Sequence, residues 1–378
     1  MTVVSTTASS VGLARRLADY FGRRPEDRAR YAHVRASAGQ IRPSQYDISN
    51  TCNLTCEGCL FFAGDDHLNH EQVLDAARID AFFAQEAARG VNFLQFGGAE
   101  PALTQQTLRI AARHVRRGVV FTNGTVKIAR DIPFRLHVSV WGLGEQARAL
   151  RGADVVAKAV RNYRGDPRAL FVFTVNAGNV ESIPDVAAYC AEAGVPLTFN
   201  HFANTLTYER WLDGEQADPD YFRLGQAGTG MTHTPATLAR AWALIGQAIE
   251  RYPETVVYSP AFGRRIHDPR GLYQIDPKSG EASDCGSRVG AHYRHFHADL
   301  ADAGDVKCCT PNIDCATCRL YQQSLSSLLA RLEGFAVTDE GLGDWLELWE
   351  FWCRLNLVGW RPGTSSAQPA AEAQATVS

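Results

Sequence analysis

The sequence predicts an α/β fold: a partial (β/α)6 TIM-like barrel followed by a small cysteine-rich module. Three observations predict it. From residue 45 onward, short β-branched or aromatic runs alternate with helical stretches of a dozen residues or more, the pattern of βα units. Six such runs occur, too few to close an eight-stranded barrel, so the sheet stays open with its chemistry at the C-terminal ends of the strands. Beyond residue 258 the pattern loosens into a Gly-, His- and Cys-rich segment of the size that a metal staples together.

Each element has its own signal. Residues 1–43 read as an N-terminal extension with an Arg-rich helix over 13–35, whose charges form a solvated face. The barrel spans 44–258, with strands at 46–49, 92–96, 119–122, 136–140, 170–175 and 197–200. One helix runs over 70–89, stopped by Gly90, and another over 181–193, stopped by Gly194, because glycine accepts the left-handed conformation at a helix end. A further helix covers 235–252. The module spans 259–335, and 336–361 holds an apolar, aromatic helix over 339–360 that packs on the core or on a second subunit. Residues 362–378 are an Ala/Ser/Gln/Pro tail, expected to be disordered.

With 45% apolar and 21% charged residues, 378 residues suit one large domain plus a small one. The net charge of -3, with basic and acidic residues interspersed, points away from a nucleic-acid partner. No run approaches the roughly 20 apolar residues that span a bilayer, and residues 1–10 lack the regions of a signal peptide, so no membrane partner and a cytoplasmic location are expected. In that reducing compartment, ten cysteines crowded into two clusters favour metal ligation over disulfides.

The first cluster is Cys52-Asn-Leu-Thr-Cys56-Glu-Gly-Cys59, directly after the first expected strand. Three thiolates on one loop leave one iron of a four-iron cluster open for chemistry. Structural zinc is the alternative, with His67 as its fourth ligand.

The C-x3-C-x2-C loop resembles that of the radical S-adenosylmethionine (radical SAM) superfamily, and further segments carry the resemblance in order along 45–200. Gly97-Gly98-Ala99-Glu100-Pro101 is similar to the family's G-G-x-E-P segment, which holds the methionine amino group of SAM. Phe121-Thr122-Asn123-Gly124-Thr125 and Val138-Ser139-Val140-Trp141-Gly142 are similar to the ends of its third and fourth strands. The resemblance implies a [4Fe-4S] cluster on Cys52, Cys56 and Cys59, with SAM beside Gly97, Gly98, Glu100, Asn123, Ser139 and Asn176. It implies reductive cleavage of SAM to a 5′-deoxyadenosyl radical, which takes a hydrogen atom from substrate, with electrons from a flavodoxin or ferredoxin. One departure is Gly58, where the family commonly carries an aromatic residue of the adenine site; Phe61 or Phe62 could substitute.

The second cluster comprises Cys285, Cys308, Cys309, Cys315 and Cys318, with a hairpin turn expected at 302–304. It resembles the one-cluster SPASM/twitch-like auxiliary module of many radical SAM enzymes, where a hairpin carries Gly-x4-Cys, here Gly304 to Cys309. The resemblance implies a second [4Fe-4S] cluster on Cys285, Cys309, Cys315 and Cys318, with Cys308 as the alternative to Cys309 and a zinc knuckle as the alternative metal. Cys190 and Cys353 read as ordinary buried cysteines. His292, His295 and His297 alternate as a strand would present them and read as surface residues. Asn200 and His201, ending the sixth strand, are expected to face substrate, as is Asn176 after the fifth.

The leading reading is oxidation of a small molecule in a natural-product pathway, with the auxiliary cluster taking the second electron. The alternatives are a redox-neutral radical reaction (epimerisation, rearrangement or adenosylation), modification of a ribosomal peptide, and a zinc-binding scaffold. Only about 45 residues precede the barrel, without a strand-rich leader-binding module, which argues against the peptide.

Overall fold

All six apolar runs form strands, within three residues of their expected bounds: β1 Pro43–Asp47, β2 Phe93–Gly97, β3 Gly118–Thr122, β4 Arg135–Val140, β5 Ala169–Val175 and β6 Leu197–His201. The computed structural model describes residues 6–62, 68–225, 230–268, 271–286, 293–304 and 313–363. Expectations for His67, His292, Cys308, Cys309 and residues 364–378 fall outside them.

A seventh strand, β7 His295–Phe296, joins the sheet, whose order is β6-β5-β4-β3-β2-β1-β7 with all neighbours parallel. The edges β6 and β7 do not meet, so this is the open α/β sheet that the six-unit count required. Two residues are too short for a periodic signal, which is why β7 escaped the strand count. All seven residues of β5 are buried, as expected of a parallel strand paired on both sides and covered on both faces.

The helices between strands are α3 Ala76–Ala88, α4 Gln105–His114, α5 Gly144–Arg151, α6 Val156–Tyr163 and α7 Ile183–Ala193, with Gly194 left-handed at φ 67° after the last. Helix α3 starts six residues later than expected, because the Asp75 carboxylate accepts from the Arg78 N–H (2.6 Å) and caps it there. The chain then runs through α8 Leu206–Leu212, α9 Pro235–Arg251 and α10 Pro260–Ile266.

The N-terminal arginines differ from the expected solvated face. Helix α1 Thr6–Arg23 and helix α2 Pro25–Ala38, separated at Arg24, pack beside α13 Asp339–Asn356. Arg30 donates twice to Glu350 (2.9 and 2.7 Å), and Arg16 and Arg23 donate to Asp339. Of the two options for the last helix, packing on the core holds: Leu346, Leu348, Cys353 and Leu355 of α13 are fully buried.

The end of α13 also plugs the barrel floor. Arg135 of β4 donates to the carbonyls of Leu355 (3.0 Å) and Arg354 (3.2 Å), and His137 bonds Leu355 O (2.9 Å) and the hydroxyl of Tyr321, where α11 Tyr321–Ala330 begins. A guanidinium satisfies carbonyls that a helix end leaves open. Helix α12 Leu332–Phe335 links α11 to α13.

The expected hairpin reverses earlier than 302–304. His297 N donates to Ala301 O and Ala303 N to His295 O, so the turn lies at 298–301, with Leu300 at φ 69°.

Candidate active site

The loop after β1 carries Cys52, Cys56 and Cys59, and buried polar contacts fix it from three sides. Glu57, fully buried, accepts from Tyr208 Oη (2.8 Å), Arg223 N (2.6 Å) and Gly225 N (3.1 Å). Asn123, after β3, donates to Asn53 Oδ1 (2.9 Å) and lies 3.7 Å from Cys52 Sγ. Arg151, 3% exposed at the end of α5, places Nε 3.5 Å from Cys56 Sγ and donates to Ser139 O (2.5 Å).

Burial pushes the Cys59 thiol up to about 12, and the charge of Cys56 adds to it; the same two causes raise Cys52. Both shifts hold these thiols protonated until a cation compensates the thiolate charge. Among the described residues no three His, Cys, Asp or Glu side chains converge as ligands of one ion would. An iron–sulfur cluster takes each thiolate on a different iron, so the donor set fits a cluster better than a single zinc.

Gly58 has φ +53°, and a Cβ there would sit 2.9 Å from the Tyr208 ring and 3.1 Å from Met231. No aromatic side chain fits at this position. Aromatic rings come from nearby instead: Phe61 lines the cavity described below, and Phe62 lies 5.2 Å from Tyr221, whose hydroxyl proton is held first by burial and then by Cys59 and Cys52.

The Gly97–Pro101 segment turns back against the cysteine loop. Gly98 has φ +102°, and a Cβ there would lie 2.9 Å from Ser49 O and 3.1 Å from Ile48 N. Its close approach is therefore to the chain's own loop. Gly98→Ala should cost about 1–3 kcal/mol through strain and loosen iron retention, read by thermal melting and an iron assay; an unchanged melt would remove the constraint. Glu100 is 1% exposed and accepts from Ala102 N (2.9 Å), Thr122 Oγ1 (2.6 Å) and Asn123 N (2.6 Å), joining the ends of β2 and β3; burial raises its carboxyl.

Ser139 Oγ accepts from Trp141 Nε1 (3.1 Å). Asn176 is fully buried after β5; its Oδ1 accepts from Gly178 N (2.8 Å), while Nδ2 has no partner among the described residues.

Beside these segments lies a cavity of about 280 Å³ inside the open barrel; of the residues expected beside SAM, Gly98 and Ser139 line it, and Gly97, Glu100, Asn123 and Asn176 do not. Gln45 and Asp47 of β1, Gln95 of β2, Phe121 of β3, Ser139 of β4 and Thr174 of β5 face it, with Leu60, Phe61 and Gly98 above and 320–323 opposite. Asn200 lines it as expected, and its Oδ1 accepts from Tyr321 N (3.1 Å). His201 does not. Alternation along β6 turns it to the other face, where its Nδ1 is 3.1 Å from His233 Nε2 and its ring centre 4.7 Å from that of His267.

Of the second cysteine group, Cys285 and Cys318 are 7% and 5% exposed and Cys315 is half-buried. Tyr273 lies near both of the first two; burial, then Cys318 and Cys285, hold its hydroxyl proton. The segment docks on the loop after β6 through Asp314 N to Asn204 O (3.0 Å). Cys190 and Cys353 are fully buried, and burial pushes both thiols up to about 12.

Three residues escaped the sequence reading. Arg151 and Asp47 carry no local motif. His295, expected on the surface, is 3% exposed and its Nε2 lies 2.8 Å from Asp47 Oδ2; the His alternation was the signal that could have found it.

No protein-family model and no curated protein matches the sequence. Among solved structures, Streptococcus suis SuiB bound to S-adenosylmethionine and a second SuiB structure each superpose with TM-score 0.47 and 13% identity over 72% of this chain. The match spans 62% of the SuiB chain. Native anSMEcpe with bound AdoMet gives 0.48 and 14%, over 83% of this chain and 98% of that one. Both scores lie below 0.5, so the reading of the site rests on its own residues.

Proposed function

We propose that this chain is a radical SAM enzyme that oxidises a small molecule. The observation that carries the reading is that the Cys52/Cys56/Cys59 loop, the Gly97–Gly98–Glu100 turn, Asn123, Ser139 and Asn176 all fall at the C-terminal ends of strands of one parallel sheet, beside a cavity that Gly98 and Ser139 line. Cys52, Cys56 and Cys59 would hold a [4Fe-4S] cluster, and Cys285, Cys309, Cys315 and Cys318 an auxiliary one. Bound there, the reduced cluster and SAM supply a carbon-centred radical able to take a hydrogen atom from an unactivated carbon.

The chain's own residues do the positioning. Arg151 offsets charge at Cys56, Glu100 ties the glycine turn to β3, and Asn53 and Asn123 hold the cysteine loop over the cavity. The wall of Phe61, Phe121 and Trp141 keeps water from the reacting carbon, and Asn200 contacts substrate. A flavodoxin or ferredoxin delivers the electrons. Neither a nucleic acid nor a membrane takes part, and the enzyme works in the cytoplasm; among the described residues no helix is long and apolar enough to cross a membrane.

An anaerobic metal count tests the reading. Two four-iron clusters give about eight irons per chain, and dithionite with SAM should release 5′-deoxyadenosine. About four irons with stoichiometric zinc would replace the oxidative reading by a redox-neutral one. No iron and no 5′-deoxyadenosine would end it.

A further inference from the structure

Among the described residues the cavity has one carboxylate in its wall, that of Asp47, and neither lysine nor arginine. Asp47 ends β1 with its side chain 12% exposed. Its Oδ2 accepts from His295 Nε2 (2.8 Å), the imidazole being 2% exposed and supplied by β7. Its Oδ1 has no hydrogen-bond partner among the described residues. The residue across from it on β2 is Gly97, where a Cβ would come within 3.0 Å of Oδ1. Glycine at that register therefore leaves the oxygen uncovered.

Gln95 lies two residues earlier on β2 and on the same face, and neither its amide nor that of Gln323 across the cavity has a partner among the described residues. The other polar groups are already engaged. Both ring nitrogens of His137 are taken by Tyr321 and Leu355, Asn200 Oδ1 caps the first N–H of α11, and Ser139 Oγ holds the Trp141 indole. Phe61, Phe121 and Trp141 supply apolar wall. What remains for a ligand is one acceptor-only carboxylate oxygen with two adaptable amides around it.

We propose that the cavity selects a substrate presenting an alcohol or ammonium group, with Asp47 as its anchor, His295 positioning that anchor, and Gln95 accepting or donating to a neighbouring polar group. The chemistry that would follow rests on the reading above, but the selection is a property of this wall alone. A donor on Asp47 Oδ1 forms a charge-assisted hydrogen bond in a water-poor site, whereas a carboxylate or phosphate meets like charge and finds no cation.

Matched ring compounds test this on the full-length, cluster-loaded protein by calorimetry: trans-4-aminocyclohexanol and cyclohexanecarboxylate, with SAM titrated into the same samples. Wild type should bind the amino alcohol at least tenfold more tightly than the carboxylate. Asp47→Asn should lower amino-alcohol affinity tenfold or more and narrow the gap by admitting the carboxylate. Gln95→Leu, which removes no charge, should weaken the amino alcohol several-fold and decides the matter if Asp47→Asn does not fold. Equal binding of the two probes by wild type, no binding of the amino alcohol, or amino-alcohol affinity unmoved in the folded variants would each overturn the proposal. Failure of wild type to bind SAM would instead overturn the radical SAM reading and leave the probe ranking to be judged on its own.

Discussion

Replacing Cys52, Cys56 and Cys59 together by alanine is expected to remove about four irons and reduce SAM cleavage to background, while the thermal transition stays within a few degrees of wild type. The thiols are only half-buried, and none belongs to the core that β1 to β6 and their helices form. The loop is held by Glu57, Asn53 and Arg223, which the substitution leaves in place. An iron assay, 5′-deoxyadenosine release and a melting curve on one preparation check the outcome. Collapse of the fold would mark the metal as structural, and surviving SAM cleavage would place the chemistry at another loop.

Acidification should unfold the protein well above the range where carboxylates titrate. His267 is buried and His233 half-buried beside His201, and loss of solvation lowers both from about 6.5 to about 4; burial and then the charges of His267 and His233 hold His201 well below its ordinary value. Burial similarly lowers His137 to about 3. These groups bind protons more readily in the unfolded chain, so their stabilising contribution is full above pH 6.5 and is lost as pH falls from there toward 4. Each of His233 and His267 is worth on the order of 3 kcal/mol, against a total that is typically about 5–15 kcal/mol. Denaturant titrations at pH 7, 5.5 and 4.5 should show a steep fall, lessened in His201→Gln. A flat profile would mean that the cluster opens to water.

Strand positions were legible in the sequence because parallel strands buried on both faces are continuous apolar runs, as in β5. Helix starts were less so: nothing in the apolar period of 70–89 reveals that Asp75 caps the helix, and the residues before it are extended. The cysteine loop, the glycine turn and Asn123 were legible as neighbours because each follows one of three successive parallel strands, which bring such loops to one edge of the sheet. His201 was misplaced because a strand end gives two neighbours of equal promise, and only the phase of the alternation separates them. Arg151 and the Asp47–His295 pair were illegible for another reason. They act through contacts spanning 95 and 248 residues along the chain, and no local pattern records such a pairing.

The pairing of β7 with β1 has a consequence for how the protein is made. As the chain leaves the ribosome, β1 emerges with one edge bare, and the floor beneath Arg135 and His137 stays open until Leu355 arrives, some 220 residues later. A nascent barrel of this kind offers a sticky strand edge and an unfilled interior for most of its synthesis. Contacts of such long range form slowly. Expression should therefore respond strongly to slower translation and to chaperone supply.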